Sequence, residues 1–310
     1  MQTTLELAAL PLDGHGPAVV SIGVFDGVHL GHRAILAANL RRSRELSATA
    51  TVVTFHQHPK QVLLGRAPRT LTTLQHRLEH FARAGIEHAL ALNFDEGLRR
   101  MEAGRFVNEI LVEKLGAKSF VLGFDSKFGR DREGGPELLE RLGFDVEVVP
   151  EVIVDRRAVS STAIREAVEL GDLDGAARML GRSVSVFGEV VHGDARGREI
   201  GFPTANLDLH HELHPPTGVY ACRVHRAHSD DEGLPAVANI GHRPTLDGTT
   251  SGPPGVEVHL LEFEGDLYGE HLEVDFLRRL RGERRFPDLD ALSAQIALDV
   301  QEARAALQLS

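Results

Sequence analysis

From residue 18 to residue 152 short β-prone runs alternate with amphipathic segments, and few architectures accommodate that alternation. "AVVSIGVF" (18–25), "TATVVTF" (49–55), "HALALNF" (88–94), "SFVLGF" (119–124) and "DVEVVPEV" (145–152) read as strands. The stretches 32–46, 73–84, 97–115 and 136–142 read as helices, the last three each followed by a glycine: Gly85, Gly116 and Gly143. Glycine supplies the left-handed residue that closes a helix. Strands joined by helical crossovers predict a parallel, doubly wound α/β sheet with right-handed connections.

The second half changes character. Two helical pieces, 162–170 and 173–180, lead into short strands at 184–192, 218–226, 235–240, 256–263 and 272–278. Turn signals such as "HPPTG" and "SGPPG" separate them, which predicts a mostly β domain, an antiparallel barrel or sandwich. A last helix runs from about Leu289 to Leu307. The change falls near Gly181 to Ser185, so the expected domains are 1–182 and 183–310. A chain of 310 residues is long enough for both.

Charge narrows the ligand class. Acidic residues outnumber basic ones 45 to 34, for a net charge of −11, and the only lysines are Lys60, Lys114, Lys118 and Lys127. No basic block is present to hold a polyanion, so nucleic acid is not expected as a partner. Small phosphorylated ligands, held by local arginines, backbone amides or a metal, fit better. No apolar run approaches the roughly 20 residues of a membrane span. "MQTTLELAALPLDG" lacks the basic start of a secretory signal. A single cysteine, Cys222, rules out an intrachain disulfide framework or a Cys-based zinc site. A cytoplasmic protein is expected; its oligomeric state is open, self-association included.

The decapeptide "GVFDGVHLGH" (23–32) lies where the first strand meets the first helix. Ligands of open α/β sheets bind at the carboxyl ends of strands. Gly23, Gly27 and Gly31 permit close backbone approach, and a helix N-terminus offers unpaired N–H groups. It is neither a Rossmann nor a Walker A motif. His29 and His32, three apart in the first turn, can face one side. A plain connection, a metal pair and a phosphate cradle are all compatible with this spacing. The cradle is favoured, because two histidines without a third ligand bind metal weakly.

The same residues resemble the nucleotidyltransferase signature ending in His-x-Gly-His. In its longer form the stretch resembles the adenylyltransferase module of bacterial bifunctional riboflavin kinase/FAD synthetases. "TFHQHP" (54–59), with Gln57 in place of a proline, and "VLGFDSKFG" (121–129), with Ser126 in place of a phenylalanine, resemble further motifs of that family, and "VSSTAIR" (159–165) carries its Ser-Ser-Thr-x-Ile-Arg intact. The resemblance implies that His29 and His32 contact the phosphates of ATP within a cradle of Gly23, Phe25, Asp26 and Gly31. Ser160, Ser161, Thr162 and Arg165 would close on them from a later helix N-terminus. His58 and Asp125 would place flavin or nucleotide. Whether either of His29 and His32 transfers a proton is left open.

"GEVVHGDARGREIGFPTANLDL" (188–209) contains Gly-Phe-Pro-Thr-Ala-Asn, which resembles the signature of riboflavin kinases. That resemblance implies Mg²⁺ on Thr204 and Asn206, both hard oxygen ligands, under a phosphate-covering loop with Gly193, Gly197 and Gly201. Glu257, in "VEVHLLEFEGDLYG" (256–269), would be the catalytic base. "NIGHRPT" (239–245) and "LRGERRF" (280–286) resemble further family segments, the latter a flavin-binding loop with Arg281. The implied fold is a nucleotidyltransferase-like α/β domain followed by an antiparallel barrel with a C-terminal helix. The implied activities are ATP-dependent phosphorylation of riboflavin to FMN and adenylylation of FMN to FAD, with no resident redox flavin. A chain with one live activity, or a flavin-binding module without turnover, are the alternatives. His210, His211 and His214 are taken as a solvated turn.

Overall fold

The computed structural model describes residues 1–5, 16–193, 201–210, 212–227, 233–242 and 254–308. The chain divides into two compact units, Met1–Ser161 and Thr162–Ser310.

The first unit is built on a six-stranded sheet. Its strands are β1 (Gln2–Thr4), β2 (Ala18–Ile22), β3 (Thr49–Phe55), β4 (His88–Leu92), β5 (Ala117–Gly123) and β6 (Asp145–Val149). They run in the order β1-β4-β3-β2-β5-β6, and every pairing is parallel. The chain leaves β2 toward β3 and later returns to pair β5 on the other side of β2. The segment after β2 therefore sits at the topological switch point, where such sheets bind ligands.

Helices α1 (Leu30–Leu46), α2 (Lys60–Leu64), α3 (Leu74–Ala84), α4 (Glu96–Arg100), α5 (Ala103–Phe106) and α6 (Pro136–Arg141) connect the strands. The sheet is apolar on both faces, as helices on both sides require. Ala18, Val20 and Ile22 of β2 pack with Phe106, Val107, Ile110 and Leu111, whereas Val19 packs with Ala38 of α1. Phe81 of α3 joins Leu36 of α1 over Val52 and Ala89.

Three expectations need correction here. The sheet has a sixth strand, β1, whose three residues are too few to show a period. The helix expected over 97–115 is broken: Met101 and Glu102 are extended, and residues Val107–Val112 form a π-helical turn. The break frees the Met101 carbonyl to accept the Arg130 N–H at 2.8 Å. It also brings Ala103 under Gly129, where φ is +72° and a Cβ would lie 2.6 Å from the Ala103 Cα. The strand expected over 145–152 stops at Val149, and a small antiparallel pair, β7 (Ile153–Val154) and β8 (Arg157–Ala158), follows.

The second unit opens with α7 (Ser161–Leu170), of which Ser161 belongs to the first unit, and α8 (Leu173–Leu180). Next come β9 (Val184–Val191), β10 (Ala205–Asp208), β11 (Gly218–Arg226), β12 (Leu234–Gly241), β13 (Gly255–Leu260), β14 (His271–Arg281) and α9 (Leu289–Ala306). The six strands close into an antiparallel barrel, β10-β13-β12-β11-β14-β9, which settles barrel against sandwich. The strand that closes it, β10, is a four-residue piece that the sequence reading did not separate from its glycine-rich surroundings. Alternate residues fill the interior, among them Ala205, Leu207, Cys222, Ala238, Val256 and Val258. Outside, Val219, Ala221 and Val237 pack on Ala303 and Leu307. His214 is buried, its Nδ1 2.7 Å from the Pro215 carbonyl, so the solvated turn extends only to the exposed His210. His211 lies outside the described residues.

Candidate active sites

In the first unit the turn after β2 is held in a conformation that few sequences adopt. Phe25 and Val28 have φ of +53° and +38°, and Gly27 of +83°. A Cβ at Gly27 would lie 2.8 Å from Leu71. Asp26 is buried, and its carboxylate accepts the N–H groups of Leu71 (2.9 Å) and Thr72 (3.0 Å). Its backbone carbonyl accepts the Ser161 hydroxyl at 2.9 Å, which joins the first motif to the Ser-Ser-Thr motif. Asp26 thus shapes the turn through its own hydrogen bonds.

His29 is the N-cap of α1: its Nδ1 accepts the backbone N–H of His32 at 3.4 Å. Accepting at Nδ1 puts the imidazole proton on Nε2. The His29 and His32 rings stack, centroids 3.6 Å apart. Gly31 permits this, since a Cβ there would press on the His29 ring at 3.3 Å. Phe25 meets His32 edge-on at 5.2 Å, and Gly23 leaves room for the Phe25 ring. Burial holds the pKa of His32 well below the usual histidine value, with smaller contributions from His29 and from Arg77. Its Nδ1 is buried without a hydrogen-bond partner among the described residues. The turn therefore sets two stacked imidazoles, one of them neutral through burial, beside the N–H groups of a helix start.

Arg77, on α3, is a residue that sequence reasoning missed. Its Nη1 donates to the Val24 carbonyl (2.5 Å) and Thr54 Oγ1 (3.2 Å), and Nη2 donates to the Phe55 carbonyl (2.8 Å). One buried guanidinium thus ties together the ends of β2 and β3, from which "GVFDGVHLGH" and "TFHQHP" begin. No periodicity signals it.

Beside the turn lies a cavity of about 650 Å³ lined by Gly23, Phe55, His58, Phe94, Phe106, Ser126 and Arg130, among others. Aromatic rings at strand ends make its walls apolar, suited to a flat ligand. The pocket brings together His58, Gly23 and the departure at Ser126. His58 also accepts the Lys60 N–H at 3.2 Å. Asp125 is exposed on the loop after β5 and is not among the lining residues. Ser160 is half-buried beside Ser161; in the first turns of α7, Thr162 is exposed and Arg165 half-buried.

In the second unit the expected residues fall on one level of the barrel exterior. Asn206 of β10 is the direct register partner of Glu257 on β13, and Glu257 is in turn the partner of Asn239 on β12. Their neighbours Ala205, Leu207, Val256, Val258, Ala238 and Ile240 fill the interior. Asn206 is buried, Glu257 half-buried. Gly193 lies so close to Asn206 that a Cβ would stand 2.1 Å from its Nδ2. Thr204 is half-buried just ahead of β10. The preceding Pro203 carbonyl accepts from His259 Nδ1 at 2.8 Å, so His259, two residues beyond Glu257, steadies this approach. Gly201 has φ of +83°, and Gly197 lies outside the described residues. Arg281 is engaged by Asp299 of α9, through Nε at 2.8 Å and Nη2 at 2.7 Å. Asn239 and His259 lie in quoted segments but were given no role there, and Asp299 lies in none; the register and the helix packing reveal all three.

Residues 13–163 match the model of the FAD synthetase family, and residues 180–307 that of the riboflavin kinase family. The bifunctional riboflavin kinase/FMN adenylyltransferase of Pseudomonas fluorescens is 41% identical over 295 residues, 94% of this chain and 93% of its own. That of Escherichia coli K12 is 39% identical over 303 residues, 96% and 94% of the two chains. A crystal structure described as a macrolide-efflux protein from Streptococcus pneumoniae matches with a TM-score of 0.81 at 31% identity, over 98% of both chains. Among the described residues no helix is long and apolar enough to cross a membrane.

Proposed function

The chain belongs to the bifunctional riboflavin kinase/FMN adenylyltransferase family, and from that premise we propose which residues carry each reaction. Riboflavin, FMN and ATP are the substrates of the family's two activities.

For the kinase, the facing of Asn206 and Glu257 across β10 and β13 carries the reading. Glu257 accepts the proton of the riboflavin 5′-hydroxyl as that oxygen attacks the γ-phosphorus of ATP, and ADP leaves. Thr204 and Asn206 are the ligands for Mg²⁺. Hydroxyl and amide oxygens suit that ion, and the closeness of Gly193 to Asn206 supports a tight cradle. When bound, the ion neutralises phosphate charge. Gly193 and Gly201, on either side of that cradle in the sequence, serve the nucleotide phosphates.

For the adenylyltransferase, the stacked pair His29 and His32 carries the reading. An FMN phosphate oxygen attacks the α-phosphorus of ATP in line, and pyrophosphate leaves. The two imidazoles donate to phosphate oxygens, where preorganised donors stabilise developing charge. Gly23, Phe25, Asp26 and Gly31 shape the cradle. Ser160, Ser161, Thr162 and Arg165 complete it; Arg165 stands one turn beyond Ser161 on the same helix face. His58 and Asp125 place the flavin nucleotide, and the apolar cavity beside Gly23 receives its ring. Arg281 serves the flavin end of the kinase.

The functional boundary is placed at 182/183, supported by the start of the kinase match at residue 180. The protein acts in the cytoplasm on small molecules. Incubation with riboflavin, ATP and Mg²⁺, followed by chromatography, tests the whole reading. FMN followed by FAD is expected. FMN without FAD overturns the adenylyltransferase assignment; no conversion of riboflavin overturns the kinase assignment, and FAD formation from supplied FMN then tests the adenylyltransferase by itself.

A further inference from the structure

Asp299 lies on α9, outside every motif that suggested a role for this chain, yet it is 2% exposed. Its carboxylate receives the Arg281 guanidinium at both oxygens (2.8 and 2.7 Å) and the Gln295 amide at 3.0 Å. Gln295 in turn accepts from Arg284 at 3.2 Å. Arg281 Nη1 donates to the Gly282 carbonyl at 3.0 Å, and its guanidinium stands 5.7 Å from the Phe286 ring centroid. The segment from Arg281 to Phe286 is therefore tied to α9 at Arg281 and at Arg284, and Phe286 stands against the Arg281 guanidinium.

That segment reaches the barrel level of Glu257. A Cβ at Gly241 would lie 2.4 Å from Glu283 Oε1 and 3.1 Å from Asn239 Nδ2, so the Glu283 carboxylate and the Asn239 amide flank the same glycine. Asn239 is the register partner of Glu257 on the side away from Asn206. Glu257 thus has Asn206 and Thr204 on one side and Asn239 with Glu283 on the other. With the first side given to the metal and nucleotide, the second is left for the flavin acceptor.

Stability alone is a poor reason for such a pair. A buried ion pair is often matched or bettered by apolar residues of similar volume, whereas a two-pronged guanidinium–carboxylate contact fixes orientation. We infer that Asp299 is a positioning residue of the riboflavin kinase reaction: through Arg281 it holds the Gly282–Phe286 segment against the acceptor side of Glu257. This rests on the assignment of the kinase site to the Asn206–Glu257 face.

The test uses the full chain with Mg²⁺ and varies riboflavin and ATP separately. Asp299→Asn and Asp299→Ala, which leave Arg281 in place, are compared with the parent. Kinase kcat at saturating riboflavin and ATP serves as the control for a folded barrel. The expected result is a KM for riboflavin raised about tenfold or more, with the KM for ATP within about twofold, in whichever variant retains parental kcat. An unchanged riboflavin KM, or equal rises for both substrates, overturns the inference. Loss of kinase kcat in both variants also overturns it, since the pair would then be structural. Glu257→Gln separates the underlying reading: if it retains kinase activity, the assignment of the face has failed, whatever Asp299 does.

Discussion

His29 Nδ1 caps the helix on which His32 sits, and the two imidazoles stack with their centroids 3.6 Å apart. One ring thereby performs two tasks: it satisfies a backbone N–H that the helix start leaves open, and it stacks on the second imidazole of the turn. Two charged imidazoles could not stack at this distance without strong repulsion, in keeping with the depressed pKa of His32.

His29→Ala removes both tasks. Loss of the cap costs about 1 kcal/mol, and loss of a preorganised donor lowers FAD formation about 10²–10³-fold. FMN formation from riboflavin is expected to stay within about twofold of the parent. Separate assays with FMN and with riboflavin as substrate check it; equal loss in both, in a folded protein, contradicts two independent sites.

The depressed pKa of His32 has a definite sign for stability. The folded protein binds this proton less readily than the unfolded chain, whose histidine titrates near 6.5. Stability from this group is complete above about pH 6.5 and declines as pH falls toward the folded value, by at most about 1.4 kcal/mol per pH unit. Urea unfolding of the parent and of His32→Gln at pH 7.5 and 5.5 measures it. The variant should show the shallower acid loss; parallel losses would show that other groups dominate.

Gly193→Ala tests the cradle around Asn206. The added methyl would displace the Asn206 amide, so kinase kcat/KM should fall about 10²-fold, as for a ligand moved by about 1 Å. FAD formation from FMN should be unaffected. Wild-type kinase activity in this variant would mean that Asn206 does not need its present position.

Cys222 is wholly buried inside the barrel, and burial pushes its thiol well above the ordinary cysteine range. A thiol reagent at pH 7.5 should leave the native protein unmodified over hours and label it promptly in denaturant. Rapid labelling of native protein would indicate frequent opening of the barrel.

How much of this was legible varies with the scale of the signal. β3, seven residues rich in Thr and Val, announced itself, and so did the helix closed by Gly85. β1 and β10 did not, because three or four residues hold no period. The break at Met101 could not be foreseen, since the partner of its freed carbonyl is Arg130, distant in the chain. His29 and His32 were visible through their spacing, but the direction of the cap, and hence the tautomer, needed coordinates. Asn206 and Glu257 are 51 positions apart in the numbering, and only the register makes them partners. Arg77 and Asp299 act through neighbours that no local pattern encodes.

The row Asn206–Glu257–Asn239 alternates with the residues that fill the barrel. A one-residue slip of β13 would turn Glu257 inward among Ala205, Leu207 and Ala238 and expose Val256 and Val258 to water. Misalignment of this row and loss of the core are therefore one event. Any population of this protein that retains a folded barrel is already a population with the Glu257 carboxylate in line with Asn206 and Asn239, and proofreading of the row is delegated to the folding of the strands themselves.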